Sequence, residues 1–200
     1  MKGATLSNLE DYAHFSIDLE TFSTAQNAYI TAIGAAMFAP STGMIVGRFY
    51  CVCHCSYHKR YDIDPATINW WLGQNDEARK SLCDVPDYLT FNIHDALHNL
   101  SKFLTTDMLQ PVVWGNGATF DISILENAYN TEGLQIPWKF YNIRDMRTII
   151  DMALSLPGGA DALNLERMGT AHNAIDDAEH QARLISAAYQ FITMGKVADA

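Results

Sequence analysis

At 200 residues the chain fits one domain with a real hydrophobic core. Its 48% hydrophobic and 18% charged residues exclude a disordered polypeptide. A net charge of −10 argues against a function built on bulk attraction to phosphates, but not against carboxylates that reach a phosphate through divalent cations.

Residues 1–11 are polar and expected to be loose. They lack the apolar stretch of a secretory signal, and no apolar run approaches the ~20 residues of a membrane span. A cytoplasmic protein with no membrane partner is the expectation. Residues 13–19 read as a first strand. "AYITAIGAAMFAP" (28–40) gives a second, ending at Pro40, and "VGRFYCVCHCSY" (46–57) a third after the turn at "STGMI". Short turns between three β-branched and aromatic segments suggest an antiparallel meander. The middle turns helical, with an Asp-Pro start at Asp64-Pro65 and a stripe of Ile93, Leu97, Leu100 and Leu104. Val112 to Trp114 read as a short buried strand that breaks at Gly115-Asn116-Gly117, and residues 122–133 as a helix closed by Gly133. Residues 140–156 read as a strand or turn entering a helix, and 176–195 as the final helix, ending at Gly195. The order predicts a single α/β domain over 1–200, with a core at about 13–193. It is a mixed five-stranded sheet, meander first, flanked by helices.

Cys51, Cys53 and Cys55 could suggest zinc. On a strand, however, Cys51 and Cys55 stand roughly 13 Å apart, whereas one zinc needs every sulfur at about 2.3 Å. Alternating packing positions are the simpler reading. His94 and His98 can share a helix face, but no third ligand is evident.

Three segments place acids where chemistry could use them. In "HFSIDLETFS", Asp18 and Glu20 point to one side of a strand and Leu19 to the other. Two neighbouring carboxylates at a buried strand end repel and are costly to desolvate unless a positive charge lies between them. Solvated acids at an exposed strand end are the alternative. In "VVWGNGATFDISIL", Asp121 opens a helix, which is also what an ordinary first-turn acid does. In "GTAHNAIDDAEHQA", His172 precedes Asp177 by five. Histidine titrates near neutral pH, and an exposed loop before the helix would let it reach a water. Asp176, beside Asp177, reads as a solvent-facing helix residue.

Together, "DLET", "ITAIG", "GNGATFD" and "HNAIDDA" resemble the motifs of the DEDD superfamily of 3′→5′ exonucleases, in the DEDDh subgroup with its histidine. The resemblance spans roughly residues 13–193 and implies a ribonuclease H-like fold. It implies that Asp18, Glu20, Asp121 and Asp177 hold two Mg²⁺ or Mn²⁺ ions, about 3.5–4 Å apart in such sites, and that His172 is the general base. It also implies binding of the terminal nucleotide just after the acids, with the Thr21 backbone at the 3′-hydroxyl and Phe22 stacked on a base. From the residues alone Phe22 reads sooner as core or partial core than as a base platform, and Asn116 equally as a donor to nucleobase or phosphate or as a turn residue. Of the adjacent Trp70 and Trp71, helical geometry buries one and exposes the other. Residues 62–79 resemble a phage-associated or bacterial branch, which favours single-stranded DNA 3′ ends as substrate over RNA. A homodimer is compatible with this reading. A catalytically idle adaptor is the competing one, and the presence of all five site residues counts against it.

Overall fold

The structure, a computed structural model, describes residues 13–54, 60–105 and 110–194. The loose segment expected at 1–11, Cys55 and the helix end at Gly195 lie outside the described residues. The chain opens with β1 (His14–Thr21), β2 (Ile30–Ala39) and β3 (Met44–Cys53), the antiparallel meander read from the sequence. Helices α1 (Pro65–Leu72) and α2 (Asp76–Lys80) follow, each opened by a side-chain cap: Asp64 accepts from the Ala66 and Thr67 amides, Asn75 from Ala78. A two-residue β4 (Thr90–Phe91) and α3 (Ile93–Leu104) lead to β5 (Val112–Gly115) and α4 (Asp121–Thr131). Last come β6 (Ile143–Asp145), α5 (Met146–Leu154), α6 (Gly159–Ala162) and the long α7 (Ala174–Met194).

The sheet order is β4-β3-β2-β1-β5-β6, six strands rather than the expected five. The unforeseen strand is β4, which pairs Thr90 and Phe91 with Val52 and Cys53. Two residues are too few to show an alternating pattern, so tertiary pairing alone defines it. Strands β1, β5 and β6 are parallel to one another.

Alternation on β1 sorts its side chains between two faces. Phe15, Ile17 and Leu19 pack into the main core with Leu97, Leu100 and Leu104 of α3 and with Ile122 and Leu125 of α4. Ser16, Asp18 and Glu20 face the other way, toward α7. On β2 that same face carries Ala32, Gly34 and Ala36. Small residues there let α7 lie close, and it answers with buried Ala174, Ala178 and Ala182 at four-residue spacing. At Gly34 the fit is tightest: a Cβ would overlap the backbone of Ala174 and Ile175. Gly34 pairs with Asp18 across the ladder. The start of α7 is therefore set down directly beside the first acid. Among the described residues no helix is long and apolar enough to cross a membrane.

Candidate active site

Four segments far apart in the chain meet at one end of the sheet. Asp18 and Glu20 come from β1, Asn116 from the loop after β5, Asp121 from the first turn of α4, and His172 and Asp177 from the loop and first turn of α7. All six line a single cavity of about 360 Å³, together with Leu19, Phe120, Arg167, Ala171 and Gln181.

Asp121 is buried and also holds the strand beside it. Its Oδ1 accepts the Leu19 amide at 3.3 Å, between the two β1 acids. Gln181 Nε2 donates to Asp18 Oδ1 at 2.7 Å, while Gln181 Oε1 accepts the Ser16 hydroxyl at 3.4 Å, which fixes the amide's orientation. Asp177 Oδ2 accepts the His172 amide at 2.9 Å, and its Oδ1 pairs with Arg167. The His172 backbone has φ 64°, the only positive φ of a non-glycine residue described. An imidazole held in this sparsely populated region reflects surroundings that over-determine it. Those surroundings are aromatic: the Trp70 ring lies 5.0 Å from the His172 ring centroid and Trp71 6.2 Å, both edge-on. His172 is thus half-buried and wedged, not the free, exposed loop residue expected from the sequence.

Burial dominates the electrostatics. Desolvation, then the nearby Asp121 and Glu20 charges, push the Asp18 carboxyl well above its ordinary value. Desolvation and Asp121 push Glu20 up to about 8, and desolvation raises Asp121 to about 7 against the Leu19 hydrogen bond. Burial and the Arg167 charge lower the His172 pKa, which keeps the ring neutral.

Whether these residues suit a cation is decided by Glu20. Its Oε1 is buried and has no hydrogen-bond partner. An acceptor in that position is normally satisfied. Ligand atoms of Glu20, His172 and Asp177 lie within 4.8 Å of one another. Buried, mutually repelling oxygens with one left unpartnered fit divalent cations of the hard, oxygen-preferring kind.

A second, mostly apolar cavity of about 470 Å³ adjoins the first, sharing Leu19, Glu20 and Phe120. Thr21, Thr24, Ala66, Thr67, Trp70 and Trp71 complete it. Trp71 is buried and donates from Nε1 to the Thr21 carbonyl at 2.9 Å, while Trp70 is 46% exposed. The Thr21 hydroxyl donates to the Ser23 carbonyl at 2.7 Å, so that side chain is committed to the turn. Phe22 lines neither cavity. It stacks on Tyr29 at 6.0 Å and packs against the core, so the ring that faces the site is Trp70 and not Phe22. Asn116 does line the acid cavity, its Oδ1 accepting from Arg147 Nε at 3.2 Å. Asp176 is not solvent-facing: it accepts the Thr170 amide at 2.7 Å and so pins the loop that carries His172.

The sequence reading passed over Gln181, Arg167 and Asp145. Gln181 was accessible to it, lying four residues after Asp177 on the same helix face. Asp145 caps α5 at the Thr148 amide and also accepts the Ala118 amide at 2.6 Å, tying down the Gly-Asn-Gly loop. Arg167 carries no signal in the sequence.

Residues 13–189 match the model of the Rv2179c-like 3′–5′ exoribonuclease domain family. The chain belongs to that family. It is a DEDDh 3′→5′ exonuclease, in agreement with the motif order. An exodeoxyribonuclease of Enterobacteria phage T4 is 26% identical to the exonuclease, over 70% of this chain and 71% of the phage protein. In fold the exonuclease is similar to the nuclease domain of 3′hExo, a DEDDh family member solved with rAMP, with a TM-score of 0.61 and 14% identity over 91% of this chain and 92% of that one. It is also similar to Pop2p of S. pombe, solved with Mg²⁺ and Mn²⁺, with a TM-score of 0.55 and 17% identity over 90% and 84%.

Proposed function

We propose that the exonuclease removes nucleotides from the 3′ end of single-stranded nucleic acid, DNA in preference to RNA, with two divalent cations, Mg²⁺ or Mn²⁺, held by Asp18, Glu20, Asp121 and Asp177. The convergence of these four carboxylates and His172 on one cavity carries the reading. When bound, the cations withdraw charge from a phosphodiester oxygen and make a water easier to ionise.

The chain's own residues do the rest. His172 is neutral and accepts the proton of the attacking water at an imidazole nitrogen, a role worth roughly 10²–10⁴-fold. The Trp70 and Trp71 rings pack edge-on against it and hold it in place. Asp177 fixes the His172 backbone through its amide, and Gln181 orients Asp18. The apolar cavity suits the terminal nucleobase, with exposed Trp70 as the stacking surface. Base–aromatic stacking contributes about 1–3 kcal/mol and tolerates any base.

The preference for DNA rests on the T4 relative, an exodeoxyribonuclease 26% identical over 70% of this chain. The RNA reading is favoured by the matching family model, whose members are described as exoribonucleases. Discrimination depends on contacts to the 2′-hydroxyl. Matched 5′-labelled DNA and RNA 20-mers, digested with Mn²⁺, test both readings. Faster stepwise shortening of DNA supports the proposal. Faster shortening of RNA reverses the substrate order, and a metal-independent rate contradicts the mechanism.

A further inference from the structure

Most arginines in this acidic chain are already paired. Arg48 and Arg183 face Glu179, Arg60 faces Glu132, Arg79 faces Asp76 and Arg167 faces Asp177. Among the described residues, Arg144 and Arg147 have no carboxylate within ion-pair distance. Both lie in residues 139–147, "KFYNIRDMR", which hold three cations and a single acid. That acid, Asp145, is occupied by the Ala118 and Thr148 amides. The same stretch carries the most exposed large aromatic described, Phe140 at 83%, edge-on to Tyr141 at 60% with ring centroids 5.2 Å apart.

The fold aims this stretch at the site. Arg147 holds Asn116, which lines the acid cavity, and its guanidinium packs over Gly117. Arg144 pairs across the sheet with Trp114, two residues before Asn116, and its guanidinium braces the turn by donating to the Tyr141 carbonyl at 2.8 Å. Asn142 donates to the Pro111 carbonyl, at the opposite end of β5 from the cavity. At about 3.3 Å per residue, the four residues from Val112 to Asn116 place the aromatic pair roughly 15 Å or more from Asn116, with Arg144 bonded to the Tyr141 carbonyl and Arg147 to Asn116 along the way.

We propose that residues 139–147 form a track for the single strand upstream of the scissile bond. Arg147 and Arg144 meet successive phosphates, and Tyr141 and Phe140 stack on bases a few nucleotides 5′ of the end. The occupant follows from charge: cations that the protein leaves unpaired beside exposed aromatics match a strand of phosphates and unstacked bases. The proposal rests on the exonuclease reading and extends it to a second part of the substrate.

The test uses 5′-fluorescein oligothymidylate and oligouridylate of 4 and 12 nucleotides, bound with Mn²⁺ in a His172→Asn background that prevents digestion. Arg144→Ala should lower the magnitude of the salt slope for the 12-mer by about 0.7, one phosphate's share on a single strand. Phe140→Ala/Tyr141→Ala should weaken 12-mer binding roughly tenfold or more with the salt slope kept. Both should affect the 4-mer less than the 12-mer. Lys102→Ala, an equal charge change at an exposed position of α3, should match the background protein. Equal binding by all variants overturns the track while leaving the exonuclease reading intact. A Phe140→Ala/Tyr141→Ala protein that keeps 12-mer affinity but turns from dimer to monomer in sedimentation also overturns it, assigning the patch to a second copy of the chain. Background protein that binds neither oligonucleotide removes the track and the reading together.

Discussion

Glu20 Oε1, buried without a partner, and the raised pKa values around it make one statement about the metal-free protein. A carboxyl whose pKa is higher in the folded than the unfolded chain binds its proton more tightly when folded. Its contribution to stability is complete below the unfolded value of 4.5 for Glu20 and 3.8 for Asp121, and is lost as pH rises through about 8 and about 7. The melting temperature of EDTA-treated protein should therefore fall between pH 5 and pH 8. Glu20→Gln should flatten that fall, at roughly 2–4 °C for each kcal/mol in a chain of this size. An unchanged slope in Glu20→Gln would show that the site does not strain the apo fold. At His172 the positive φ guides the choice of variant. Asparagine tolerates the left-handed region and lacks the imidazole. His172→Asn should lose 10²–10⁴-fold in kcat while its Mn²⁺-induced rise in melting temperature persists. Loss of the metal response as well would make the residue a ligand first.

Seating of α7 on β2 decides the geometry at the scale of elements. Gly34→Ala places a methyl against the backbone of Ala174 and Ile175, which no rotamer change relieves. The start of the helix must move, taking His172 and Asp177 away from Asp18. Measured together, activity should fall at least 100-fold and Mn²⁺ affinity should weaken. A Gly34→Ala enzyme with wild-type turnover would mean that the helix has slack there. Trp70 belongs to this scale because α1 exists in part to present it. Trp70→Ala should raise KM for a single-stranded substrate roughly tenfold, whereas Phe22→Ala should act mainly on stability, as a residue stacked on Tyr29. The meander, the α3 stripe and α7 were readable because each runs long enough for its period to show. The acids were readable because "DLET", "GNGATFD" and "HNAIDDA" stand in the family's order; the Asp18–Glu20 pair alone fits solvated strand-end acids as well. Phe22 and Trp70 were not distinguishable, since what separates them is the path of residues 61–75 across the site. Asp176 was misjudged because its partner, the Thr170 amide, lies in a loop with no periodicity.

For the whole molecule, the charge of −10 sets the terms on which phosphate can approach. Glu20 and Asp121 lie buried in a cavity that Asp18 and Asp177 also line, and Arg167, a cation in its lining, is already paired with Asp177. Divalent cations at this end of the sheet, with Arg144 on β6 and Arg147 at the start of α5 outside any ion pair, would give the strand one favourable approach to an otherwise repelling surface. The anomalous scattering of Mn²⁺ in crystals of the wild-type protein and of Asp18→Asn addresses the central claim most directly. Two peaks within coordination distance of Asp18, Glu20, Asp121 and Asp177, with at least one lost in Asp18→Asn, are the predicted result. Manganese bound only elsewhere, or peaks indifferent to Asp18→Asn, would contradict it.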